Sequence, residues 1–138
     1  IGAGQRCLEL ACLRVEDRET FGKKLSQHQS IRENIAKSYA ELEMTRLLVH
    51  KTCWHIDHHG VKPSIELISA TKISVPLMIQ AIIDRCMQMH GAGGLTEDWC
   101  MAEQFNYARW CRQADGPDEV HQMALGKRII QQYADARA

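Results

Sequence analysis

Three observations on this 138-residue chain predict an all-α fold. Apolar residues recur at three-, four- and seven-residue spacings along most of its length. Prolines are scarce, three in all. Alternating β-branched runs, the mark of half-buried strands, are nearly absent. Long helices joined by short connections predict an up-and-down four-helix bundle with an additional C-terminal helix. Residues 1–138 suit one domain of that kind.

The first helix is predicted over residues 3–17, with Leu8, Ala11, Cys12 and Val15 on one stripe. The stretch "DRETFGKKLSQHQS", with Gly22 inside it, ends that helix. A second helix is predicted over 28–59. Ile35, Leu42, Val49 and Ile56 repeat every seven residues and make one seam of a bundle. Ser38, Thr45 and Thr52 form a parallel row of small polar residues, where another helix can approach closely. Gly60 stops this helix, and Pro63 and Ser64 start the next. The third runs to about His90 and buries Ile68, Val75, Ile82 and Met89, backed by Ile79, Ile83 and Cys86. Pro76 removes one backbone donor there, so a kink or a split is expected. Thr96 is expected to cap a fourth helix, with Glu97 and Asp98 at its positive end and a stop near Gln113. Gly116 and Pro117 start the fifth, with Pro117 at a tolerated first-turn position.

Seventeen basic side chains balance seventeen acidic ones. Zero net charge argues against a polyanion-binding surface, so no nucleic-acid partner is expected. No apolar run is expected to reach the length of a membrane span, and no signal-like start is visible. The opening at Ile1 reads as the middle of a helix, so a piece of a longer protein is expected. Six scattered cysteines without a C-x-x-C pair read as buried free thiols of a reducing compartment rather than a disulfide framework.

Three connections carry chemistry. Arg18, Thr20, Phe21, Gly22, Lys23, Lys24 and His28 put guanidinium, hydroxyl and backbone donors together. Such a set can hold a phosphate, with Arg18 as the bidentate partner, or be a solvated turn pinned by Phe21. In "QMHGAGGLTED", the glycines after Gln88 and His90 let a ligand approach the backbone, or simply stop a helix. In "ADGPDEVH", Asp115 is either a base or the cap of the fifth helix. Asp118 and Glu119 fall in its first turn, where the dipole favours negative charge. Spacing alone favours capping for all three. His55 has metal-pair spacing with His58 or His59, but nothing completes a ligand set, and no metal site is assigned. Arg109 and Arg112 either steady an anionic ligand or belong to a solvated face. Trp54, Trp99 and Trp110 read as core or interface anchors.

Taken together, Arg18-x-x-Phe21-Gly22-x-x-Leu25, Gln88-x-His90-Gly91-x-x-Gly94 and the Asp115–Gly116 pair resemble the C-terminal domain of the acyl-CoA dehydrogenase family. The resemblance covers nearly the whole chain and is greatest to the branch of family members ten and eleven. It implies FAD as cofactor and α,β-desaturation of an acyl-CoA substrate. Arg18, Thr20 and Phe21, followed by His28 and Gln29, match a loop that reaches FAD, largely that of a neighbouring subunit. Gln88, Met89, His90, Gly91 and Ala92 match a second stretch on the partner's FAD. Asp115 matches the catalytic carboxylate, usually Glu in the family, with Asp118 the runner-up. Gly116 falls against the substrate, and Pro117, Asp118 and Glu119 match residues that touch FAD. Asp is shorter than Glu by about 1.5 Å, and Pro117 replaces a Thr that offers a hydroxyl and a backbone donor. The resemblance also implies a homodimer or homotetramer and an electron-transfer flavoprotein as electron acceptor. It places the protein inside the cell: mitochondrial or peroxisomal in a eukaryote, cytoplasmic in a bacterium. The isolated chain is expected to be inactive. The rival readings are a non-catalytic helical oligomerisation or interaction module of the same fold, and a metal or ligand carrier built on the histidine cluster.

Overall fold

The structure, a computed structural model, describes residues 1–137. It contains α1 (Gly2–Asp17), α2 (Gln29–His59), α3 (Ile65–His90), α4 (Met101–Trp110) and α5 (Asp118–Asp135). Single 3₁₀ turns, Leu25–Gln27, Lys62–Ser64 and Gly91–Leu95, lie in three of the connections. All the other helices pack against α3. Cross-contacts fix their directions. Ser38, Thr45 and Thr52 of α2 meet Arg85, Met78 and Thr71 of α3, so the two run antiparallel. Gln5 near the start of α1 meets Arg46 of α2, and Val15 near its end lines a hollow with Ile35, which makes α1 antiparallel to α2 and parallel to α3. Gln132 of α5 reaches back to Glu66 at the start of α3.

The core lies along α3. Ile82, Ile83 and Cys86 are fully buried, as are Cys7 and Ala11 of α1 and Met101 of α4. Each such isoleucine contributes about 1.5–3 kcal/mol by leaving water. Gly4 lets α1 approach closely, since a Cβ there would sit 2.8 Å from Ile79 Cδ1. Leu8, Ala11 and Val15 face this core as the spacing predicts, but Cys12 is exposed and Cys7 takes the inward place.

On α2 the small polar row, not the aliphatic seam, lies deepest. Ser38, Thr45, Thr52 and Leu42 are buried, while Ile35, Val49 and Ile56 are only half-buried. Short side chains let the two helices close up, and the hydroxyls stay satisfied. Thr45 Oγ1 donates to Glu41 O at 2.7 Å, and Thr52 Oγ1 donates to Leu48 O at 2.8 Å.

Five expectations need correction. The chain is not helical throughout: strands β1 (Glu19–Thr20) and β2 (Lys23–Lys24) form a minimal antiparallel hairpin. Of the kink or split expected at Pro76, the split does not occur, since α3 is one helix through it. Thr96 does not cap α4, which starts at Met101; its hydroxyl donates instead to Gly93 O at 2.9 Å and Asp98 Oδ2 at 3.0 Å. Those local bonds hold residues 96–100 in turns. Of the six cysteines, all free, Cys7 and Cys86 are buried, and burial pushes both thiols up to about 12, but Cys12 and Cys53 are exposed. Finally, α3 with its flanking turns, Lys62–Leu95, contains an 18-residue window of mean hydropathy 1.4 and is, by length and composition, long and apolar enough to cross a bilayer. Its place explains that composition: it is the central helix of the bundle. Its Lys72 bonds the Cys111 carbonyl, and its Arg85 pairs with Glu41 of α2.

Candidate functional site

Two of the three motif stretches share one end of the bundle, because α1 and α3 are parallel and both finish there. The first turn is the hairpin. Phe21 and Gly22 have φ of 53° and 75°, the pair of positive values that a two-residue type I′ connection requires. Glycine accepts this freely, whereas phenylalanine does so at a cost of about 1–2 kcal/mol. Nothing inside the domain offsets that cost, since Phe21 is 96% exposed. Arg18 is exposed beside it, and its carbonyl accepts the Leu25 N–H at 2.8 Å, closing the loop. Lys24 meanwhile pairs with Glu16 at 2.7 Å, and that bond holds the Glu16 carboxyl below its ordinary range. Thr20 and His28 are half-buried, with His28 Nε2 buried and unpartnered. Gln29 is exposed and donates to Glu33.

The second turn follows α3. Gly91 has φ of 63°, and a Cβ there would meet nothing, so its backbone is open to approach. Gly94 is needed for the opposite reason, because a Cβ would sit 2.7 Å from the Met87 carbonyl oxygen. Gln88, Gly91 and Ala92 are exposed and border a hollow of about 350 Å³ shared with Asp84, Met87 and Leu95. Met89 and His90, expected at the cofactor, instead point inward, at 3% and 5% exposure. The helical period turns them onto the core face of α3. His90 Nδ1 donates to Cys86 O at 2.9 Å, and its ring stands edge-on to Trp99. Burial pushes this imidazole below the ordinary histidine range.

The third stretch lies elsewhere. Lys72 and Gln80 of α3 reach the chain at Cys111 and Arg112, just before Asp115. From Gln80 to Gly91 is about 16 Å along the helix axis. Asp115 is therefore well separated from the two turns at the bundle end.

Asp115 does not cap α5. Its φ is 56°, its side chain is exposed, and α5 has no side-chain cap at all. Pro117 occupies the cap position and Asp118 is the first helical residue. Asp118 is not offered to a ligand in the helix dipole either: it is 8% exposed, and its Oδ2 accepts from Arg112 Nε at 2.7 Å. Arg112 Nη1 goes on to Gln80 Oε1 at 3.1 Å. Asp118 N–H donates to Arg112 O at 3.3 Å, and His121 Nε2 donates to Asp115 O at 3.2 Å. Gly116, with φ of 103°, lies under the His121 ring, where a Cβ would come within 3.1 Å. Pro117 and Glu119 face outward. Sequence spacing points to none of Lys72, Gln80 and His121 as supports, since each acts across a non-helical turn or from a distant helix.

The remaining candidates are engaged locally or exposed. His58 stacks on Trp54 with ring centres 4.4 Å apart, and His55 Nδ1 bonds Ser64 Oγ at 2.8 Å. Among the described residues no three His, Cys, Asp or Glu side chains gather as a metal site. Arg109 and Trp110 are exposed, and Trp99 is half-buried.

The outward residues of the two end turns suit a phosphate-bearing cofactor. They offer a guanidinium, amides and hydroxyl around an exposed aromatic ring, beside an open hollow that a Gly91 side chain would have narrowed. Such an arrangement defines a class: a helical-bundle domain that presents two exposed turns at one end of the bundle. Residues 1–130 match the family model described as acyl-CoA dehydrogenase, C-terminal domain. The chain belongs to the acyl-CoA dehydrogenase family. It is 43% identical over 127 residues to acyl-CoA dehydrogenase family member 10 of Mus musculus, covering 92% of this chain and 12% of the relative. With family member 11 of Gallus gallus it shares 39% over 127 residues, 92% of this chain and 16% of the relative. A solved protein described as an acyl-CoA dehydrogenase, from Mycobacterium abscessus, superposes with a TM-score of 0.93 at 39% identity, covering 96% of this chain and 32% of that one. A glutaryl-CoA dehydrogenase from Mycobacterium smegmatis, in complex with FADH2, gives 0.87 at 29%, covering 93% and 33%. The chain thus spans less than a third of these curated relatives and about a third of these solved chains.

Proposed function

We propose that residues 1–138 are the C-terminal domain of an FAD-dependent acyl-CoA dehydrogenase and that Asp115 is its base. The observation that carries this reading is the two-part layout. An exposed carboxylate stands on a positive-φ turn that follows Arg112, whose partner Gln80 lies about 16 Å along α3 from Gly91 at the bundle end. One flavin ring and a second flavin's phosphates, belonging to two subunits, account for both parts.

In this reading Asp115 takes the substrate's α-proton, and the electron pair of that C–H bond forms the new Cα=Cβ bond. FAD, when bound, accepts the hydride that leaves the β-carbon. Negative charge develops on the thioester oxygen, so donors must face it. Arg18, Thr20, Phe21 and Gln29 with Gln88, Gly91 and Ala92 hold the cofactor of a neighbouring subunit. Met89, His90 and His28 support those turns from within, and Asp118 supports the Asp115 turn. The enzyme is then a homodimer or homotetramer, and an electron-transfer flavoprotein takes its electrons.

The test is anaerobic addition of acyl-CoA thioesters to the complete, flavin-loaded enzyme. Bleaching of the flavin, with formation of the enoyl-CoA, is the expected result. A flavin-loaded enzyme inert to straight-chain and branched thioesters would leave the non-catalytic module in its place.

A further inference from the structure

Asp115 is held by its neighbours rather than by its own side chain. Its φ of 56° is a conformation that L-residues other than glycine adopt only when their surroundings impose it. Its carboxylate is exposed, so the constraint must come through the backbone on either side. Before the turn, Arg112 donates through Nε to Asp118 Oδ2 at 2.7 Å and through Nη1 to Gln80 Oε1 at 3.1 Å. Lys72 fixes the preceding carbonyl, Cys111 O. After the turn, Asp118 returns its N–H to Arg112 O, and His121 donates to Asp115 O. The side chains of Arg112 and Asp118 are 29% and 10% exposed, so water competes weakly for this pair.

We propose that Arg112 and Asp118, anchored on Gln80 of α3, are positioning residues that hold the Asp115 turn in its strained conformation and so aim the carboxylate at the substrate's α-proton. The proposal rests on the reading of Asp115 as base. The pair spans the turn like a clasp, joining the residue three before Asp115 to the residue three after it. One guanidinium ties both ends of the turn to the most buried helix of the bundle. Neither side chain needs to touch substrate to act this way. A shift on the order of 1 Å in a reacting group can cost roughly 10²-fold in rate, which sets the scale of the effect.

The test uses the complete flavin-loaded enzyme and three variants: Asp115→Asn, Arg112→Gln, and the neutral pair Arg112→Gln with Asp118→Asn. The neutral pair leaves no unpaired buried charge and therefore decides the matter if Arg112→Gln alone fails to fold. Anaerobic bleaching is followed over acyl-CoA concentrations up to saturation, with ordinary and α-deuterated substrate, and amide hydrogen exchange is followed across residues 111–121 and α1 to α3. The brace predicts a fall of about 10²-fold in the bleaching rate for the folded variants. KM stays near the parent's, the α-deuterium isotope effect rises, and exchange quickens in the turn but not in α1 to α3. Parent-rate bleaching in the neutral pair, with Asp115→Asn inactive, would overturn the brace and leave the base in place. Slow bleaching with unchanged isotope effect and unchanged exchange would overturn it too. If Asp115→Asn itself bleaches at the parent's rate, the base lies elsewhere and the brace has nothing to aim.

Discussion

Phe21 and Asp115 are the non-glycine residues with positive φ among those described, and each sits at the tip of a motif turn. Backbone strain persists where surrounding structure imposes it, and it concentrates at sites of function. For Phe21 the domain supplies no packing in return, which is why its ring is read as a contact for a ligand outside the domain. Phe21→Asn tests that reading. Asn-Gly is the preferred pair for a type I′ turn, so the hairpin should gain about 1 kcal/mol and its amides should exchange more slowly. In the complete enzyme the same substitution should weaken FAD retention, measured as a raised dissociation constant. A hairpin that tightens with no loss of flavin would mean that Phe21 touches nothing. At this scale the sequence singles out three turns but does not say which way each side chain points. His90 and Asp118 look like ligand residues in a motif. Only the fold reveals that one lies on the core face of α3 and the other is turned inward onto Arg112.

Helices were the legible elements. Apolar stripes at three-, four- and seven-residue spacing, with the Gly60 stop and the Pro63–Ser64 start, placed α1, α2 and α3 within a residue or two, because burial on one face leaves a periodic record. The fourth helix was less legible. Thr96 has the chemistry of a cap, but it spends its hydroxyl on Gly93 and Asp98, and the helix starts at Met101. A two-residue strand is too short to leave any alternation, so the hairpin was invisible. The small polar row of α2 is where α3 approaches closely, as the spacing of Ser38, Thr45 and Thr52 implies, while Ile35, Val49 and Ile56 of the aliphatic seam stay half-buried. Glycines offer a test of element packing. Gly94→Ala drives a Cβ into the Met87 backbone, which cannot yield as a side chain would, and should cost about 1–3 kcal/mol. Gly126 lies on the exposed face of α5 with nothing within 4 Å of its would-be Cβ. Gly126→Ala should therefore stabilise by about 0.5–1 kcal/mol. Thermal melts of the two variants should move in opposite directions. A neutral Gly94→Ala would contradict the described contact between the Gly91–Leu95 turn and α3.

At the scale of the whole molecule, the site is divided. Two turns lie at the end where α1 and α3 finish, and the Asp115 turn follows Cys111 and Arg112, which bond Lys72 and Gln80. The sequence motifs named all three stretches, yet their spacing along the chain says nothing of this separation, which depends on helix direction. Parallel α1 and α3 bring the Arg18 and Gln88 turns together across seventy residues of sequence. The return of the chain along α3 carries Asp115 away from them. The claim on which the account turns is that Asp115 moves the proton. Its most direct test is anaerobic flavin bleaching by acyl-CoA in the complete enzyme carrying Asp115→Asn. Asn keeps the size and the turn but cannot accept the proton, so flavin should stay bound and its bleaching should be abolished. Bleaching at the parent's rate would contradict the account and place the base on another residue.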